Sequence, residues 1–269
     1  MSTVAVIGNV ARDRIDGQVR VGGGPYYAGR ALRALGRRGA ILTKCSQEER
    51  RRLLTPLVCL GLPVLWREAP STAGFEIAYH GEEREMTVEE LGPEWTAAEI
   101  ADWVAKGLAG AEWVQVAALR RGEFSADALA ELARGRRIML DGQGLVRPPV
   151  LGRLEPDARY DLAVLRHVAV LKLSEFEAGL LGGLDEEPLG KLGVPEVVVT
   201  LGSRGALVLE RGRLEHVPGR PVEPAVDPTG AGDAFGAAYL AGRATGNGPV
   251  GAARRACGLV ADLLAGRLR

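Results

Sequence analysis

Histidine, cysteine and net charge are what this chain has least of. His80, His167 and His216 stand far apart, and Cys45, Cys59 and Cys257 are odd in number with no paired spacing. A disulfide framework and a zinc site are both disfavoured, and buried thiols are the default. With 34 basic and 34 acidic residues the formal charge is zero, so nothing argues for a nucleic-acid or anionic-membrane partner. Only four of the basic residues are lysines (Lys44, Lys106, Lys172 and Lys191). The most apolar run, Leu57 to Trp66, is interrupted by Gly61 and Pro63 and is too short to span a bilayer. Met1 to Ile7 lacks a basic leader and is soon followed by Arg12 and Asp13, so it does not read as a signal peptide. The expectation is a soluble, cytoplasmic protein. Three nucleotide-site signatures are missing too. There is no GxxxxGK[ST], no protein-kinase motif set, and no GxGxxG after the first apolar run.

What is present is an alternation of short apolar runs and helical patterns. Thr3 to Gly8, Ile41 to Thr43, Pro63 to Trp66, Trp113 to Ala117, Arg137 to Leu140, Val168 to Leu173 and Glu196 to Leu201 read as buried strands. Helical patterns over 26–35, 47–60, 96–108 and 125–134 lie between them, and others follow Gly232 and Val250. A chain of 269 residues can fold this way as one large domain. The expected fold is a three-layer α/β/α sandwich around a mostly parallel sheet. Two charged, alternating segments do not fit that layer. Residues of about 13–22 and 71–88 predict a small β lid inserted into the single domain 1–269.

In a parallel sheet, ligands gather at the C-terminal ends of the strands. Asp13, Asp141, Ser174 to Glu177, Thr200 to Gly202 and Asp233 all fall near such ends. The most specific stretch is Asp227-Pro228-Thr229-Gly230-Ala231-Gly232-Asp233-Ala234-Phe235. Pro228 and Gly230 break the chain before a small-residue helix begins. A bare helix tip points free N–H groups at the positive end of its dipole, which suits a phosphate. An acid beside that anion site is out of place unless it handles a proton or faces a metal-bound phosphate. Taken alone, Asp233 is equally an acid favoured by the helix dipole.

The full nine-residue string closely resembles the C-terminal motif of the ribokinase-like, PfkB carbohydrate kinase family. The resemblance implies that Asp233 is the catalytic base and that Gly230, Ala231 and Gly232 form an anion hole for the transferred phosphoryl group. Gly8 followed by Asp13 is similar to the family's first strand and its substrate-binding Asp. Gly22-Gly23-Gly24 resembles the N-terminal motif, with Tyr27 where an Asn often contacts substrate; its ring is expected on a sugar or cyclitol face or in the core. Asp141-Gly142-Gln143 through Arg147 varies the family's Asp-x-Asn-x-Arg and is similar to a compact branch with inositol-kinase-like members, which implies a substrate role for Gln143. Ser174-Glu175-Phe176-Glu177 resembles Asn-x-x-Glu. It implies Ser174 on the nucleotide side and Glu177 near Mg²⁺. Thr200, Gly202 and Gly205 match the family's ATP loop. The implied activity is an ATP-dependent, Mg²⁺-assisted transfer to a hydroxyl of a small sugar or cyclitol. A nucleoside kinase and a sensor that has lost turnover stay open, as does a homodimer built on lid strands.

Overall fold

The computed structural model describes residues 3–80, 83–222 and 228–268. The strands are β1 (Thr3–Ile7), β2 (Ala11–Ile15), β3 (Gln18–Gly22), β4 (Gly39–Cys45), β5 (Val64–Glu68), β6 (Ala73–His80), β7 (Glu83–Glu90), β8 (Ala111–Val116), β9 (Arg137–Asp141), β10 (Gly152–Arg153), β11 (Val168–Ser174), β12 (Glu196–Thr200), β13 (Gly205–Glu210) and β14 (Arg213–Pro218). The helices are α1 (Gly24–Ala34), α2 (Arg50–Val58), α3 (Ala97–Glu99), α4 (Ala105–Gly107), α5 (Ala126–Leu132), α6 (Gln143–Val146), α7 (Glu175–Leu180), α8 (Glu186–Lys191), α9 (Ala231–Ala244) and α10 (Pro249–Leu264). A π-helical turn, Ile100–Val104, joins α3 to α4, so the helix expected over 96–108 is continuous but unevenly wound.

Among the described residues, nine strands form the main sheet in the order β14-β13-β12-β11-β9-β8-β1-β4-β5. The run from β12 to β5 is parallel, while β13 and β14 add an antiparallel edge. Side chains alternate across the sheet as the pleat requires. Ala5 and Ile7 enter a core on one face with Trp95, Leu129 and Leu171, whereas Val4 and Val6 enter the opposite core with Leu32, Phe235 and Tyr239. The expected mostly parallel sheet with helices on both faces is what is observed. Strand order reverses at β1, with β4 on one side and β8 on the other, and this switch opens a crevice at the strand ends.

A second sheet, in the order β10-β7-β6-β2-β3, stands beside the first. The segments read as a lid from sequence fall within it. Asp13 lies in the middle of β2 rather than in a loop, facing the same buried side as Ala11 and Ile15, while Arg12 and Arg14 alternate outward to Glu49 and Glu89. Gly81 and Glu82 of the expected hairpin, and Ala225 to Asp227 of the C-terminal motif, lie outside the described residues.

Helix α9 is buried from Asp233 through Gly242. Its Ala and Gly surface lets it lie close to the sheet and to α10; a Cβ on Gly242 would stand 3.1 Å from the Ala252 backbone. Below, Glu196 on β12 accepts from Tyr239 Oη at 2.7 Å and from Arg243 at 2.6 Å, which fixes the far end of the helix to the sheet. Glu196→Ala removes the shared acceptor and leaves a largely buried guanidinium without its carboxylate. The expected cost is about 3–5 kcal/mol, read as a lowered denaturant midpoint. An unchanged midpoint would mean the pair does not anchor α9.

Candidate active site

Gly230 caps α9 in the left-handed region, at φ 77°, which a side chain rarely tolerates. It also lies under the Tyr27 ring, so a Cβ there would enter that ring. The first turn of α9 is thereby presented bare at the strand ends. Tyr27 packs edge-on to Tyr26 and borders a hollow of about 140 Å³ with Arg30, Thr229 and Gly230.

Three glycines in a row, Gly22 to Gly24, run between the second sheet and α9. A Cβ on Gly22 would collide with the Asp13 carboxylate, and one on Gly24 would stand 2.7 Å from Asp233 Oδ1. The two acids predicted to serve substrate and proton transfer therefore border one glycine segment. Asp233 is buried, and its Oδ1 has no hydrogen-bond partner among the described residues. The backbone carbonyl of Asp233 accepts from Gln115 Nε2 at 3.2 Å, tying the helix start to β8.

Cross-strand register builds the floor. Lys172 on β11 is the direct partner of Asp141 on β9, and both point to the α9 side, as do their neighbours Val170 and Met139. Lys172 Nζ donates to Asp141 Oδ2 at 2.8 Å, while Asp141 Oδ1 accepts from Gln143 N and Nε2 at 3.4 and 3.3 Å. Gln143 is thus bound to Asp141 beside the site. Glu177 and Ser174 form a reciprocal cap on α7: Ser174 N donates to Glu177 Oε2 at 2.7 Å, and Glu177 N donates to Ser174 Oγ at 3.2 Å.

Burial is the main reason that the Asp233 carboxyl titrates high, at about 7; Asp141 adds to the rise, and Lys172 and Arg147 oppose it. For Lys172, burial disfavours the charge, but Asp141, Glu177 and Asp233 outweigh it and hold the ammonium above the usual lysine range.

On the other side of the tip, Thr200, Gly202, Ser203 and Gly205 face Gly232, Phe235 and Val260 across a slot of about 270 Å³, mostly apolar. Three residues assigned from sequence to the nucleotide side, Thr200, Gly202 and Gly205, meet there. Ser174 is the hydrogen-bonded strand neighbour of Thr200 but does not line the slot. Glu177 approaches Gly142 on the Asp141 side, where a Cβ on that glycine would stand 2.6 Å from Oε2.

Sequence reasoning missed Lys172, Gln115 and the pairing that holds them. The available signal was a single polar residue inside each of two otherwise apolar strands, Trp113 to Ala117 and Val168 to Leu173.

The architecture is the ribokinase-like fold. A solved structure of a pyrophosphate-dependent kinase in the ribokinase family, complexed with a pyrophosphate analog and myo-inositol, is similar with a TM-score of 0.83, at 24% identity over 97% of this chain and 94% of that one. Ribokinase from Arabidopsis thaliana, complexed with ribose and ATP, gives 0.75 at 18% identity over 98% and 93%. A fructokinase of Klebsiella pneumoniae is 42% identical over 80 residues, a segment that spans 28% of this chain and 26% of that relative. The model of the pfkB family carbohydrate kinases matches residues 70–262, and the chain belongs to that family.

The raised Asp233 titration has a stability consequence. A free aspartate titrates near 3.8 and the folded one near 7, so the stability this group supplies is complete below the lower value and lost as pH rises through the upper one. Asp233→Asn, uncharged throughout, is expected to melt on the order of 10 °C above the native protein at pH 8, with the gap closing by about pH 4. About 1 kcal/mol moves Tm by about 2–4 °C in domains of roughly this size. A constant gap across that range, or none, would contradict the burial account.

Proposed function

We propose that the protein transfers the γ-phosphate of ATP to a hydroxyl of a small sugar or cyclitol, with Asp233 as general base. The observation that carries this reading is the buried, unpartnered Asp233 Oδ1 at a bare helix tip, sharing the Gly22 to Gly24 segment with Asp13. Asp13 accepts from substrate hydroxyls and fixes their orientation. Asp233 takes the proton of the attacking hydroxyl as its oxygen bonds to the γ-phosphorus and the bond to the β-phosphate oxygen breaks. The N–H groups of Gly230, Ala231 and Gly232 hold the charge that spreads over the equatorial oxygens. A base that titrates near neutrality is suited to this work.

Mg²⁺ keeps most of its waters and needs few protein carboxylates. No group of three His, Cys, Asp or Glu side chains among the described residues could cage a metal. That donor set fits an ion carried in on the nucleotide phosphates and held through water by Glu177, whose Oε2 serves its own helix cap. When bound, the ion supplies charge neutralisation on the phosphate oxygens. The second sheet acts as a lid that excludes water, which would otherwise compete for the phosphoryl group.

Pyrophosphate is the second reading of the donor, favoured by the fold likeness to a pyrophosphate-dependent kinase. Against it stands the slot beyond Gly232, whose walls of Val222, Phe235, Cys257, Val260 and Ala261 suit an apolar, flat base, while the Arg220 guanidinium that also lines it is paired with Asp262.

Two measurements test the proposal. Asp233→Asn is expected to bind ATP while turnover falls by about 10²–10⁴-fold, and native kcat/KM should rise with pH through about 7. Near-native turnover in the variant would end the base assignment. Cys257→Trp, which fills the slot, should raise the KM for ATP by at least about tenfold, the worth of losing roughly 1.5–3 kcal/mol of apolar burial. Efficient use of pyrophosphate, with ATP inert, would establish the other donor.

A further inference from the structure

The ammonium of Lys172 is buried in the strand floor, and its side chain is 5% exposed. An ammonium carries three donors, but Asp141 Oδ2 is its single hydrogen-bond acceptor among the described residues. Burying a charge with donors left over is costly unless an acceptor arrives. The ammonium also lies directly against the helix tip: a Cβ on Gly232 would stand 2.9 Å from Nζ. Any residue but glycine there would separate the cation from the main-chain amides. Asp141 is itself held on its other oxygen by Gln143 N and Nε2, so the ammonium is fixed and not free to follow solvent.

We propose that Lys172 is a further catalytic residue, a strand-borne cation that contacts the transferring phosphoryl group from beneath Gly232, with Asp141 as the positioning residue that aims it. No proton leaves the lysine. It stays an ammonium throughout and offers its two remaining N–H groups to phosphoryl oxygens, whose negative charge is drawn together as the bond to the donor breaks. A fixed cation in a dry site needs no reorganisation as that charge develops. This role rests on the phosphoryl-transfer reading above but uses a residue and an interaction that reading does not require.

Lys172→Met alone strands the Asp141 carboxylate and could lower stability, so the deciding variant is Lys172→Met with Asp141→Asn, which removes both buried charges. The double variant is expected to melt close to the native protein, yet its kcat should fall by about 10²–10³-fold, the usual cost of one preorganised donor. KM for the sugar or cyclitol should stay within about twofold, since the cation meets phosphate and not the acceptor. A structural role predicts the opposite, with turnover recovering once both charges are gone, and native-like kcat in the double variant overturns the proposal. Calorimetry with inorganic phosphate separates this outcome from failure of the kinase reading itself. If the native protein transfers no phosphoryl group, phosphate binding at least about tenfold weaker in the double variant still supports the cation site. Equal phosphate affinities refute it.

Discussion

A carboxylate kept dry beside a helix tip is the constraint on which the rest of the structure depends. Asp233 has an oxygen without a protein partner, and burial raises its titration toward neutrality. Such a group is costly to hold, and the surrounding fold is arranged to hold it. Gly24 clears the space in front of it, Gln115 ties its backbone carbonyl to the sheet, and Lys172 limits how far its titration rises. Buried, unpaired polar atoms with shifted titration gather where chemistry is done.

The helix that carries this acid works as a rigid post. Its lower end is fixed by Glu196, Tyr239 and Arg243, and its small residues let it press against the sheet. At the upper end Gly230 takes a left-handed conformation under the Tyr27 ring, and Gly232 leaves room for the Lys172 ammonium. The anchored lower end fixes where the glycine-rich upper end stands relative to the sheet. The two sides of that tip differ. The glycine segment borders the Asp13 carboxylate, and the slot beyond Gly232 has mostly apolar walls, so the two sides differ in surface chemistry as well as in position.

How much of this was legible in the sequence depends on how local each feature is. The helix tip from Gly230 to Asp233 is contiguous, and its turn and small-residue signals stand in one short string. The parallel sheet was legible for a similar reason, since each buried strand announces itself by its own apolar run. Lys172 was not. Its meaning comes from register with Asp141, a residue 31 positions away on a neighbouring strand, and no local pattern encodes that pairing. Asp13 falls in a segment whose alternation reads as lid, but its burial becomes visible only once β3 and β6 pair on either side of β2. The two-residue strand β10 is too short to carry a signal of its own and exists only because β7 offers it an edge. Glu177 and Ser174 are a local capping box as well as candidate ligands, and sequence alone does not separate the two roles.

Asp233 is a buried acid whose proton affinity is set near neutrality by burial and by its charged neighbours. Carbon-13 NMR of the protein labelled at aspartate carboxyls tests this directly, with the Asp233 signal identified by its loss in Asp233→Asn. The account predicts a titration midpoint near 7 for that signal. A midpoint near 4, the ordinary value for an exposed aspartate, would contradict it.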